Sequence, residues 1–254
     1  MPQPRPIAIQ LYTVREACKA DYQSTLQAIA DAGYIGIEIG GSYFGKTARE
    51  FRTYADGLGL TICAAHVAVF DPAQREKIVA DARELGLKRI VSGFGHAEFA
   101  SVEAARAAAE KANAAVSYFK SQGLAVAYHN HEWEYKVPGV AEVFFDSTPE
   151  LELELDIYWA TLGGATPSDV MQRYNRRVTL LHIKDGPADK ADRNKPMTAV
   201  GSGRVDIPTA IRAGENGSVE WNIVELDHCA TDMLQAVRAS YDFLTQRSLA
   251  RGKR

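Results

Sequence analysis

Apolar positions along this chain fall into two alternating textures. Four times in the first half, a segment whose apolar residues return every three or four positions ends near a glycine, and a short continuous apolar run follows. The glycines are Gly33, Gly59, Gly86 and Gly123, and the runs after them cover residues 35–39, 61–65, 89–92 and 125–129. The first spacing is that of a helix face, and a bounded run of β-prone residues is that of a buried strand. Glycine just past a helix end adopts the left-handed conformation without strain, so each unit reads as helix, cap, strand. Residues 7–12 open the series, and residues 150–157, 178–183 and 220–226 supply the later strands. Helices are expected at 21–32, 47–56, 72–85, 101–121, 139–145, 167–174 and 231–245. Strands alternating with helices imply parallel pairing through right-handed crossovers, and roughly 250 residues is the size of a closed barrel of eight such units. The expected fold is α/β, a single (β/α)8 TIM barrel covering residues 1–254 as one domain. A doubly wound open sheet shares this alternation, but no GxGxxG follows any of the strands.

One strand breaks the apolar rule. In Leu151-Glu152-Leu153-Glu154-Leu155-Asp156 the alternation sets three carboxylates on one face, which a helix-covered face does not accommodate. In a barrel that face points to the axis, with its last residue at the C-terminal mouth where barrel enzymes hold their reactive groups. The same period of two brings Glu38, His66, His129, His131, His182 and Glu225 to, or just past, C-terminal strand ends. Any one of them alone reads equally as a hydrogen-bonded structural group. Imidazoles and carboxylates converging on one mouth suit one divalent metal ion, Mn, Co, Mg or Zn.

Composition narrows the partners. With 46% apolar and 24% charged residues and a net charge of −3, the chain is an ordinary globular protein without the basic field that a nucleic acid needs. Cys18, Cys63 and Cys229 are far apart and form no CxxC pair, so buried free thiols are expected. No apolar run approaches the ~18 residues of a membrane span, and the first residues lack a signal-peptide core. The expectation is a cytoplasmic protein acting on a small molecule, with no membrane partner, homo-oligomerisation left open and a frayed tail at 247–254.

Five stretches carry a resemblance: 127–135 with Tyr128-His129-Asn130-His131, 153–159 with Asp156 and Trp159, Leu181-His182-Ile183-Lys184-Asp185-Gly186, Val200-Gly201-Ser202-Gly203-Arg204, and Val224-Glu225-Leu226-Asp227. In order and over nearly the whole chain, they resemble the sugar phosphate isomerase/epimerase family of the xylose isomerase-like TIM barrel superfamily, which also holds inosose dehydratases and endonuclease IV relatives. The resemblance implies one divalent ion held from strands five to eight, commonly by Glu, Asp, His and Glu. Asp156, His182 and Glu225 match the last three; on strand five this chain has His129, with Glu134 as the alternative ligand. It also implies a metal-dependent isomerase/epimerase of carbohydrate metabolism that removes a proton next to a carbonyl of a keto-sugar or cyclitol. Candidate bases are Glu225 and His131, with Glu134 as a further catalytic carboxylate and Lys184 placed to stabilise developing negative charge. Glu38, His66, Trp159 and Arg204 are the candidate substrate contacts, although the aromatics read equally as packing. Loss of the strand-five carboxylate speaks against two opposed bases, so a dehydratase or lyase acting on a keto-sugar or inosose is the alternative.

Two further readings compete. Gly40-Gly41-Ser42-Tyr43-Phe44-Gly45-Lys46-Thr47 satisfies GxxxxGK[ST] between a strand and a helix, the setting of a phosphate-binding loop. A nucleotide binder also needs an apolar strand ending in Asp for Mg²⁺, and the nearest candidate is interrupted by His182 and Lys184. A non-catalytic sugar-binding barrel would keep a pocket without needing metal affinity.

Overall fold

The computed structural model describes residues 3–253. Its order is β1 (Ile7–Gln10), α1 (Arg15–Ala32), β2 (Gly36–Ile39), α2 (Ala48–Gly57), β3 (Thr61–Ala65), α3 (Arg75–Leu85), β4 (Arg89–Ser92) and α4 (Val102–Ser121). It continues with β5 (Ala125–His129), α5 (Val140–Asp146), β6 (Glu152–Asp156), α6 (Ile157–Gly163), α7 (Pro167–Tyr174), β7 (Val178–Ile183), α8 (Ile207–Ala213), β8 (Trp221–Val224) and α9 (Met233–Gln246). The strands form one sheet in the order β3-β2-β1-β8-β7-β6-β5-β4, and each paired neighbour is parallel. β3 and β4 are joined just past the end of β3, where His66 bridges Val91 and the Val67 N–H donates to the Val91 carbonyl at 2.9 Å. The fold is thus the TIM barrel the alternation implied, and a candidate site residue sits at its closure.

The four punctuating glycines all have positive φ, 109° at Gly33, 66° at Gly59, 70° at Gly86 and 79° at Gly123. That conformation ends each helix and turns the chain into the next strand. Two helices escaped the periodicity. α6 starts immediately after β6, so Ile157-Tyr158-Trp159 reads as more strand until Asp156 is seen capping the helix, its Oδ1 accepting from the Trp159 N–H at 2.8 Å. α8 is seven residues long and capped by Asp206, too short for a helical period to register. α1 begins earlier than expected, at Arg15, but breaks at Asp21 (φ −155°), whose carboxylate caps the second half through the Ser24 N–H.

The phosphate-loop reading does not survive. Thr47 and Glu50 close a capping box at the start of α2, so a carboxylate holds the Thr47 N–H and hydroxyl at 2.9 Å. Lys46 lies over the Tyr22 ring. The tail is also not frayed through residue 253: Leu249 and Ala250 are buried, and Arg251 pairs with Pro6 beside β1; Arg254 lies outside the described residues. Cys18 and Cys63 are buried and Cys229 half-buried, all as free thiols. Among the described residues no helix is long and apolar enough to cross a membrane.

Period-two alternation stacks the barrel interior in layers. At the N-terminal end Arg89 is buried against Glu152 and Glu220. Above it Ala8, Cys63, Ala64, Val91, Ala127, Leu180 and Ile223 form a small apolar plug. Above that plug lies a layer of imidazoles, carboxylates and the Lys184 ammonium.

Candidate metal centre

The polar layer is built by the strand ends. β5 delivers His129, β6 Glu154 and Asp156, β7 His182, and β2 Glu38; just past their strands lie His66, Lys184, Glu225 and Asp227. Asn130 fixes the register between two of these ends, accepting from the Asp156 N–H at 2.9 Å and donating to the Asp156 carbonyl at 3.1 Å. Asp156 divides its carboxylate: Oδ1 caps α6, while Oδ2 faces His129 Nε2 at 3.3 Å and His182 Nδ1 at 3.9 Å. Glu225 Oε2 lies 2.9 Å from His182 Nδ1. One donor atom each from His129, Asp156, His182 and Glu225 therefore falls within 4.8 Å of the others.

That donor set fits a divalent ion. His182 Nδ1 and Glu225 Oε2 face each other in the buried layer, and Lys184 Nζ lies 2.7 Å from the same Glu225 oxygen, so an ion entering here would replace contacts among charged groups of the chain itself. The other ring nitrogen of His182 donates to Glu38 Oε2 at 2.7 Å, the carboxylate-to-histidine support that orients a metal-binding imidazole. Burial, followed by the neighbouring His182 and His66, pushes the His129 pKa well below its ordinary value, so its ring is neutral and a ready ligand. His182 goes the other way: burial alone would lower it, but Glu154, Glu38 and Glu225 raise it well above an ordinary imidazole. The same excess of negative charge attracts a cation.

Lys184 sits among these carboxylates, its Nζ 2.7 Å from Glu225 Oε2, 3.2 Å from Asp156 Oδ2 and 2.9 Å from Asp227 Oδ1. Burial opposes its charge, but Asp156, Glu225 and Asp227 together hold its pKa well above the usual value. It is an ammonium at any working pH.

A cavity of about 360 Å³ opens over the layer. Its lining includes His66, His129, His131, Trp159, Lys184 and Glu225 from the expected set, Tyr12 and Asp227, to which the sequence reading gave no role, and Arg193. Arg193 reaches in from the long β7–α8 connection, over the rings of Trp159 at 4.9 Å and Trp133 at 5.5 Å, and pairs with the buried Glu132 at 3.0 Å. Its sequence context, a polar run between Lys190 and Lys195, looks like any solvated loop.

Several assignments change. Glu38 is fully buried behind His182 and bonded to it and to Gln10, so it positions the imidazole and is not a substrate contact. Arg204 is exposed and absent from the cavity wall; its N–H only ties the loop to the Gly186 carbonyl. Glu134 is not in the ligand set: its oxygens accept from the Tyr128 hydroxyl at 2.7 Å and the His131 N–H at 2.9 Å. Burial, reinforced by His129 and Lys184, drops the His131 pKa to about 2, so its ring, stacked on Trp133 at 4.1 Å, is too weak a base for neutral pH.

Burial raises Glu134 to about 8. A folded-state value above the unfolded one means that its stabilising contribution is complete below about 4.5 and is lost as pH rises through about 8. Glu134→Gln should therefore stabilise the protein relative to wild type progressively from pH 5 to pH 8, by on the order of a few kcal/mol at the upper end. Chemical denaturation at both pH values reads this, and an unchanged wild-type-to-variant difference would contradict it.

The model of the xylose isomerase-like TIM barrel family matches residues 26–246. No curated protein matches the chain. Among solved structures, a sugar phosphate isomerase/epimerase from Parabacteroides distasonis ATCC 8503 is similar over 97% of this chain and 96% of its own, at 23% identity and a TM-score of 0.79. The IolI protein with a bound zinc atom is similar over 96% and 98%, at 15% identity and a TM-score of 0.78. An L-ribulose 3-epimerase is similar over 97% and 95%, at 14% identity and a TM-score of 0.75. At these identities the likenesses establish shared architecture. With its eight parallel units, polar mouth and family match over most of its length, this chain belongs to the xylose isomerase-like TIM barrel family.

Proposed function

We propose that the protein is a divalent-metal-dependent isomerase of a keto-sugar or cyclitol, working by proton transfer next to the carbonyl. The observation that carries this is the quartet His129, Asp156, His182 and Glu225, two imidazoles and two carboxylates with donor atoms within 4.8 Å of one another, at the floor of a cavity of about 360 Å³. A neighbour of the same fold that holds zinc and another that epimerises a sugar are in keeping with it.

An ion held by these side chains supplies Lewis-acid polarisation of the carbonyl and an adjacent hydroxyl, acidifying the C–H between them. Glu225, at the cavity wall, takes the proton. Lys184, kept charged and hydrogen-bonded to Asp227, donates toward the oxygen that gains negative charge. Trp159 and Trp133 offer apolar faces to the sugar, and Arg193 covers them from the loop side. Both carboxylates lining the cavity, Glu225 and Asp227, lie just past β8, whereas β5 presents imidazoles. One carboxylate side favours isomerisation over two-base epimerisation. The same groups also serve elimination, Lys184 protonating the leaving oxygen, so a dehydratase or lyase is the second reading.

The test is hydrogen exchange. Protein loaded with Mn²⁺ or Co²⁺ is expected to exchange the α hydrogen of a matching ketose or inosose with D₂O, and Glu225→Gln to lose that exchange by on the order of 10²–10⁴-fold. Absence of exchange across a broad panel, with the metal demonstrably bound, would instead support a passive sugar-binding barrel.

A further inference from the structure

The polar layer contains a second complete donor set. Directly behind His182, Glu38, His66, Glu154 and the same His182 again place one donor each within 4.8 Å of one another. His66 Nε2 is 2.7 Å from Glu154 Oε2 and 3.6 Å from Glu38 Oε2. His182 Nε2 is 2.7 Å from Glu38 Oε2 and 3.2 Å from Glu154 Oε2. Two bonds of about 2.0 Å at a tetrahedral angle set their outer ends roughly 3.3 Å apart, so two of these separations fit a four-coordinate ion and the two hydrogen-bonded ones must open by about 0.6 Å. Glu38 and Glu154 are fully buried, and each keeps an oxygen, Oε1, without any hydrogen-bond donor.

Charge points the same way. Glu38, Glu154, Asp156 and Glu225 bring four carboxylates into one buried layer, where Lys184 pairs with Asp156, Glu225 and Asp227, and Glu38 and Glu154 face the imidazoles of His66 and His182. A divalent ion between Glu38 and Glu154 offsets both of their charges with the imidazoles neutral as ligands, and buried carboxylates without such compensation are strongly unfavourable.

We infer that this protein binds a second divalent cation in the Glu38–His66–Glu154–His182 site, bridged through the His182 ring to the outer ion. This rests on the outer site proposed above only in that His182 is shared. His182 offers Nε2 inward and Nδ1 outward, so with both ions bound it has released its N–H protons and bridges as imidazolate. Two imidazoles and two carboxylates select Zn²⁺, Co²⁺, Mn²⁺ or Fe²⁺ over Ca²⁺. All four inner positions are filled by protein, so this ion is held closed and turns over no substrate. Its effect is to fix His182 and to add positive charge beneath the reacting centre. His66, at the cavity wall, marks the way in.

The experiment is metal stoichiometry on protein purified without a chelating column, stripped, reloaded with Zn²⁺ or Co²⁺ and desalted. Wild type is expected to retain two ions per chain, Glu154→Gln one and Asp156→Asn one. Anomalous diffraction from zinc-loaded wild-type crystals, which needs no variant, should show two peaks roughly 6 Å apart, two bonds of about 2 Å plus the ring between them. One peak, with one ion that Asp156→Asn removes and Glu154→Gln leaves in place, overturns the inner site and leaves the outer one standing. One peak at the inner position alone supports the inner site and overturns the outer assignment. No retained metal overturns both.

Discussion

Asp156→Asn is expected to abolish turnover while leaving the barrel folded. Asparagine keeps an oxygen for the Trp159 N–H, so α6 stays capped. The change removes the anionic oxygen that now faces His129, His182 and Lys184. The Lewis-acid contribution of a bound ion is several kcal/mol, and each ~1.4 kcal/mol is tenfold in rate. Activity should fall by on the order of a thousandfold, together with a weaker affinity for the outer ion by titration calorimetry. A folded variant with wild-type metal affinity would remove Asp156 from the centre, and with it the basis of the proposed chemistry.

The second large effect concerns stability. Asp185 follows Lys184 in the stretch Leu181–Gly186 that carried the family resemblance, and nothing about its neighbours separates a catalytic carboxylate from a structural one. In the fold it is almost fully buried and accepts four backbone N–H bonds, from Gly186 at 2.8 Å, Gly201 and Gly203 at 2.9 Å each, and Val205 at 3.2 Å. It staples the whole connection between β7 and α8 to the end of β7. Gly203 follows from this, since a Cβ there would lie 2.1 Å from Asp185 Oδ1, whereas Gly201 is required by its φ of +91° and by the Phe243 ring 2.2 Å from where its Cβ would be. Hydrogen bonds to a buried charged group contribute about 1.5–3 kcal/mol each before water replaces some of them. Asp185→Ala should therefore destabilise the protein by roughly 3–5 kcal/mol, a drop in thermal midpoint of about 10 °C for a domain of this size. Retained metal binding at low temperature would separate this role from the site itself. A midpoint unchanged within about 2 °C would show the staple to be dispensable.

Arg204 follows the same glycines, whose N–H groups serve a buried carboxylate of the chain itself. Arg193, eight positions before the first of those glycines, lies over Trp133 and Trp159.

Much of the molecule was legible in one dimension because its determinants are local. Helix periodicity, the four positive-φ glycines and strand alternation each involve residues within a few positions of one another, so the eight strand–helix units and the shared parity of Glu38, His129, Asp156 and His182 followed from spacing, while closure of the sheet did not. The helices α6 and α8 did not, because a side-chain cap decides where each begins and each lasts only seven residues. Parity states which residues face the axis, but not at what height or against whom. Closure of the barrel puts Glu38 beneath His182 across 144 positions of chain, removing it from substrate. Glu134, by contrast, is held by a local contact, the hydroxyl of Tyr128 six positions before it. Closure also sets His182 Nδ1 2.9 Å from Glu225 Oε2. Those are consequences of distance in space and of the low-dielectric burial that follows from closure, which shifts His131 and Lys184 in opposite directions according to the charges brought beside them. Residue types and their alternation were written into the chain; which donor atoms come within 4.8 Å of one another was settled when eight strand ends met.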